Sequence, residues 1–425
     1  MKKSLVLMAM AGVALAGCVN DVADVAQQEV QKKAKIGFEA PLLYDNAQSR
    51  ANVFEEYNNG RGDFEGYSYP KAEDFVVFSN KYTGFFSGWN SQNNYWEGVD
   101  RLTVSYNQTL NGWVNSGKDY YWPSGDAKLA FAAYSPADMR PFKSYTNKTT
   151  NEVEQENNVE YGQPEVSYDK EGLSITGFKV PDNPACQFEV LYSERSLGNK
   201  FNTSAATGVY AGTSIKFKHA LSSIHFALQK DAAVGSTIAL KSIKLKGVKN
   251  KGNFKENLDE SVYNVDGDIK NPYKIDPKWT NQEGNMSYAA YNAKGTDGVV
   301  FPPNAPSHVS LLSKTLEGDE SYALLLMPQQ LTGENVKLEV AYTISGKDAD
   351  PVTITLGTDD QLGTDESNPN KPQITVNEWK PGVKYTYVLY YSAEAESKDK
   401  IIFAPSTEGW QEVSHIVINL ADASN

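Results

Sequence analysis

Apolar positions along this chain come in short runs, rich in Val, Ile, Tyr and Phe, separated by Gly, Asn, Pro and Ser. Runs of that length and composition predict strands rather than helices. The clearest are Phe75–Phe78, Leu129–Tyr134, Leu173–Ile175, Phe188–Tyr192, Ser223–Leu228, Ile243–Leu245 and Tyr322–Met327. Val336–Ile344, Val352–Leu356, Tyr385–Tyr391, Ile401–Phe403 and His415–Leu420 follow. Near the start, Ile36, Phe38, Ala40, Leu42 and Tyr44 alternate with Gly37, Glu39, Pro41 and Leu43, the period of a strand with one buried face. No long amphipathic helix and no strand–helix–strand rhythm interrupt the series, so the prediction is an all-β protein built of sandwiches. Three polar stretches, residues 143–168, 249–285 and 357–371, read as surface loops, and the Thr-, Ser- and Gly-rich stretch 198–212 reads as a boundary between domains.

The first eighteen residues break this pattern. Lys2 and Lys3 precede an apolar stretch from Leu5 to Leu15, too short to span a bilayer, and Leu15-Ala16-Gly17-Cys18 looks like a bacterial lipobox. That reading makes residues 1–18 a lipoprotein signal with Cys18 lipidated, so that acyl chains, not a helix, hold the exported chain to a membrane. An ordinary secretory signal with an incidental Cys is the plainer alternative. Residues 19–35 are polar and read as a tether.

Composition narrows the chemistry. A formal net charge of -13, with no run of Lys and Arg, disfavours nucleic acid as a partner. With Cys18 taken by lipid, the other of the two cysteines, Cys186, has no intrachain partner and reads as a small buried residue. His219 and His225 stand six apart on β structure, which fits no usual zinc spacing, and no nucleophile-elbow, zinc-protease, phosphate-loop or paired-cysteine motif occurs. Neither an enzyme nor a cofactor is implied. Arg61-Gly62-Asp63 lies in a turn-prone run that explains it by composition alone. Trp89, Trp96, Trp113 and Trp122, with Tyr95, Tyr120 and Tyr121, read mostly as core, the alternative being a platform for stacking sugar rings in a monomeric glycan-binding lipoprotein.

These features, taken in order, resemble the fimbrillins, the pilus-forming lipoproteins of the Bacteroidales. The resemblance rests on the lipobox, on Ile36-Gly37-Phe38 followed by Ser49-Arg50-Ala51, and on Tyr120-Tyr121-Trp122-Pro123 with Lys128 through Pro136. It continues through Phe217-Lys218-His219-Ala220-Leu221, Leu326-Met327-Pro328-Gln329, and Trp379-Lys380-Pro381-Gly382 running on to Tyr385-Thr386-Tyr387. It implies two transthyretin-like β-sandwich domains in tandem, over residues 36–212 and 213–425. It also implies a precursor lipoprotein of the outer membrane that becomes an extracellular fimbrium for adhesion and colonisation.

In that scheme a trypsin-like, Arg-specific protease cuts between Arg50 and Ala51. The strand carrying Ile36, Phe38, Ala40, Leu42 and Tyr44 leaves, and the C-terminal segment of another subunit fills the groove by strand addition. Residues 401–420 would hold the donor, with Ile401, Phe403, Ile416, Ile418 and Leu420 as its apolar set. The partners are further copies or related subunits, the protease, and the membrane before processing. Two plainer readings stand beside it. The first strand is permanent, as in an anchor or tip subunit, or the last strand is paired within its own domain.

Overall fold

The structure is a computed structural model. It describes Ile36, Phe38, the backbone of Leu42–Leu43, most of residues 74–258 and 276–391, and the backbone of Ile401–Ser406 and His415–Val417. Cys18, Ala40, Tyr44, Arg50, Ala51, Arg61, Ile418 and Leu420 lie outside the described residues. The fold is nearly all β, as the run lengths predict.

The first sheet runs in the order Leu42–Leu43, Lys216–His219, Leu191–Ser193, Ala127–Ser135, Phe75–Thr83, Arg101–Asn107, Gly112–Asn115. Phe75–Thr83 and Ala127–Ser135 are its centre, and both carry unbroken apolar runs because both faces of this sheet are covered. Phe75, Val77, Leu129 and Phe131 face one core with Trp96, Trp113 and Phe217. Val76, Phe78 and Tyr134 face the other way, into a larger core continuous with Ile175, Phe178, Ile224, Leu245 and Tyr387.

The chain leaves the first sheet at His219, past the expected boundary at residue 212, and after Ala220 and Leu221 enters the strand Ser222–Lys230 of a second sheet. There Ser222–Lys230 pairs in parallel with Lys384–Tyr391, which pairs in turn with Ile401–Ser406. A third sheet is centred on Ile238–Val248, flanked by Met286–Asn292 and Lys337–Ile344.

A fourth sheet draws on both halves of the chain, in the order Lys278–Glu283, Lys251–Lys255, Gly172–Lys179, Glu165–Asp169. Three of its strands fall where the sequence reads as loop. Lys251–Lys255 turns only Gly252 and Phe254 inward, and Lys278–Glu283 only Trp279, so each has too few apolar positions to show a period. Glu165–Asp169 buries Val166 alone. Phe254 and Trp279 meet at 5.4 Å, and Trp279 Nε1–H donates to the Ala220 carbonyl at 2.7 Å, which ties this sheet to the crossing point of the chain. Where the halves join, the Glu256 carboxylate is fully buried and accepts from the Leu173 N–H at 2.8 Å, while the Glu256 N–H donates to the Leu173 carbonyl at 2.9 Å. Gly172 beside it has φ +92°, and a Cβ there would run into that carboxylate.

Trp379 and Tyr387 anchor the second sheet, the indole N–H donating to the Tyr387 hydroxyl at 3.0 Å. Burial pushes the Tyr387 hydroxyl well above its ordinary value of 10.0. The native state therefore keeps a proton that the unfolded chain releases near pH 10. This contribution is intact below pH 10 and is lost as pH rises beyond it. Stability is expected to fall above that point by about 1.4 kcal/mol per pH unit for this one group. Urea titrations of Tyr387→Phe and the parent chain between pH 9 and 12 check this, the variant losing that part of the slope.

Candidate functional site

The site is the place where the first strand enters the first sheet. Ile36 N–H donates to the Tyr120 carbonyl at 2.8 Å and Phe38 N–H to the Trp113 carbonyl at 3.3 Å. Phe38 also bridges Thr213 in parallel, so the first strand is bonded on one side to Trp113 of the last strand in the path and on the other to the chain leading into Lys216–His219. Ile36 and Phe38 are buried. The Phe38 ring packs edge-on against Phe75 and Phe131, each 5.9 Å away, and Phe75 in turn meets Trp113 at 5.4 Å and Phe217 at 5.8 Å. Burial of two such side chains is worth roughly 3–6 kcal/mol before ordering costs.

The register is not uniform. Phe38 faces Thr213, but Leu42 faces Lys216 and Leu43 faces Phe217. Leu42 is thus four residues beyond Phe38 while Lys216 is three beyond Thr213, so the register shifts by one residue between the two pairings. Strict alternation from Ile36 to Tyr44 takes no account of this, because the extra residue is a property of the pairing and not of the strand alone. Among the expected donor positions, Ile401–Ser406 is paired in its own chain, Ile401 with Tyr391 and Phe403 with Leu389, and ends the path of its sheet. His415–Val417 pairs with Leu362–Thr364, Ile416 facing Gly363.

Most of the aromatic residues nearby are core. Trp96, Trp113 and Trp122 are buried, and Trp96 Nε1–H donates to the Val77 carbonyl at 3.0 Å. Tyr121 is exposed, and its carbonyl accepts from the Tyr95 hydroxyl. Rings buried in this way have no face left for a sugar.

Trp89 helps enclose Arg195, a residue that nothing in the sequence singles out. Its guanidinium is buried over the rings of Phe86, Trp89 and Tyr168 at 5.3–5.5 Å. Its Nε–H donates to the Tyr168 hydroxyl at 3.0 Å and an Nη2–H to the Asp169 carbonyl at 3.1 Å, so it fastens the hairpin of the fourth sheet to the first. Lysine cannot make that planar fork. Arg195→Lys is expected to lower stability by about 1–3 kcal/mol, read from the urea midpoint.

Cys186 is buried in the turn Pro184–Cys186. His219 Nδ1 lies 2.9 Å from Glu189, and His225 Nε2 lies 2.7 Å from the Ser223 hydroxyl. Among the described residues no group of His, Cys, Asp and Glu is arranged to hold a metal, and no helix is long and apolar enough to cross a membrane.

A family model described as fimbrillin-like matches residues 84–410, most of the chain. The chain belongs to the fimbrillin-like family. It is similar to the fimbrium subunit Fim1C of Phocaeicola vulgatus, 23% identical over 438 residues that take in 98% of this chain and 99% of that one. Among solved structures, this fimbrillin-like chain is similar to a fimbrial protein from Bacteroides vulgatus, with TM-score 0.48, 17% identity, and coverage of 89% of this chain and 99% of that one. A fimbrial assembly protein from Parabacteroides distasonis gives TM-score 0.32 at 9% identity, covering 88% and 98%.

Proposed function

We propose that this chain is a structural, non-enzymatic subunit of a cell-surface fimbria, made as a lipoprotein precursor and assembled by strand exchange. The precursor is lipidated at Cys18 and held at the outer membrane. An Arg-specific, trypsin-like protease cuts between Arg50 and Ala51, the first strand leaves, and the C-terminal segment of another subunit fills the groove. The filaments serve adhesion and colonisation. The observation that carries this reading is the position of Phe38, bridged on one side to Trp113 and on the other to Thr213 and packed into the core. A strand so placed leaves a lined groove with two free backbone edges when it departs, and such edges recruit a replacement.

The test is treatment of the purified chain with an arginine-specific protease. The expected product begins at Ala51 and runs as a ladder of oligomers on gels without boiling, and Arg50→Ala is expected to abolish both. A chain that is cut after Arg50 yet keeps its first strand and stays monomeric would sink the proposal.

A further inference from the structure

The groove states what its occupant has to look like. It takes an Ile and, two residues on, a Phe whose ring meets Phe75 and Phe131 edge-on. The residues that supply this are Lys35-Ile36-Gly37-Phe38-Glu39-Ala40-Pro41. The other end of the chain carries Lys400-Ile401-Ile402-Phe403-Ala404-Pro405-Ser406. Both read Lys-Ile-x-Phe and then Ala-Pro, and they differ in length by one residue, Glu39, which has no counterpart after Phe403.

That difference falls within the interval where the structure has a surplus. Between Phe38 and Leu42 the first strand advances four residues against three in its neighbour, from Thr213 to Lys216. A strand with Phe403 opposite Thr213 reaches Lys216 with Ser406 and needs no extra residue. A proline directly precedes the residue facing Lys216 in both cases, Pro41 before Leu42 and Pro405 before Ser406. Proline removes one ladder donor, so a groove built around one occupant with proline there is suited to another.

We infer that Lys400–Ser406 of a second copy is the occupant of the vacated groove, with Ile401 in the place of Ile36 and Phe403 in the place of Phe38. This rests on the strand-exchange reading and selects within its donor region, against the segment around Ile416. The bonding favours it. Within its own chain Ile401–Ser406 ends the path of its sheet and pairs with Lys384–Tyr391 on one side. In the groove it has backbone partners on two sides, Trp113 and Tyr120 on one and Thr213 to Lys216 on the other. The opposing term is the edge of Lys384–Tyr391 that its departure uncovers.

The experiment uses the full chain with p-benzoylphenylalanine at position 403, which keeps an aromatic ring there and so avoids the folding risk of Phe403→Ala. Unlabelled chains carrying the photoreactive group are mixed with nitrogen-15-labelled chains lacking it, cut with an arginine-specific protease and irradiated. The expected cross-links run from position 403 to labelled peptides containing Phe75, Trp113 or Phe131. In a parallel arm, a peptide of residues 400–407 added during cutting is expected to stop oligomer growth, and a peptide of residues 414–421 is not. If oligomers form while position 403 cross-links only to Lys384–Tyr391 of its own chain, or if only the second peptide stops growth, the inference is overturned and strand exchange stands. If the first strand is not released and no oligomers form, strand exchange itself fails and this inference with it.

Discussion

Phe38→Ala is expected to destabilise the intact chain by about 3–5 kcal/mol, the range for removing a buried phenylalanine ring. The ring fills the space between Phe75 and Phe131, and both belong to the central strands of the first sheet, which have little freedom to close the gap. Urea unfolding followed by tryptophan fluorescence measures this, since Trp96 and Trp113 share that core. The same substitution separates two roles for the strand. If residues 36–44 are a temporary occupant, oligomers formed after cutting at Arg50 no longer contain position 38. Their thermal stability is then the same for the variant and the parent chain. If the strand is permanent, the defect persists in every form of the protein.

Gly172→Ala is expected to cost about 3–5 kcal/mol, from two sources acting at one point. The backbone there, at φ +92°, is one that residues with a Cβ rarely adopt. The new methyl group also displaces the Glu256 side chain from the Leu173 N–H, leaving a buried polar acceptor without a bond it now makes at 2.8 Å. Because this junction joins Gly172–Lys179 to Lys251–Lys255, strain is felt on both sides of it. One unfolding transition moved to lower urea is the expected result, seen alike by fluorescence and by circular dichroism. An unchanged midpoint would show that the junction carries no such strain.

Much of the architecture is readable from residue patterns, and the failures have a common cause. Phe75–Phe78 and Leu129–Tyr134 announce themselves because strands covered on both faces are apolar throughout. Val336–Ile344 and Tyr385–Tyr391 are equally plain. Phe188–Tyr192 is apolar for a different reason. Phe188 and Val190 are buried, yet only Leu191–Ser193 is paired as strand. Burial leaves a mark on composition, whereas pairing does not. The fourth sheet shows the same limit, since Phe254 and Trp279 are its main inward residues on two strands and the residues they meet, Ile175 and Phe178, lie some eighty and some hundred residues earlier. Arg195 is legible only once Phe86, Trp89 and Tyr168 are seen to surround it. At the site, the alternation of Ile36 and Phe38 is legible, but the extra residue before Leu42 depends on the neighbouring strand.

The parallel pairing of Ser222–Lys230 with Lys384–Tyr391 has a consequence in time. A chain is made from its N-terminus, and apart from Leu42–Leu43 every strand of the first sheet lies between residues 75 and 219. Ser222–Lys230 is different: it is buried along almost its whole length, and its longest pairing partner begins at Lys384. Val309–Ser310 and Leu324–Leu326 can pair one edge of it earlier, but the edge that takes Lys384–Tyr391 stays open until that strand is made, and closing so long a loop is slow. An unpaired apolar strand is also the kind of surface on which chains aggregate. That open edge is therefore the part of Ser222–Lys230 that has to be kept from other chains until its distant partner arrives.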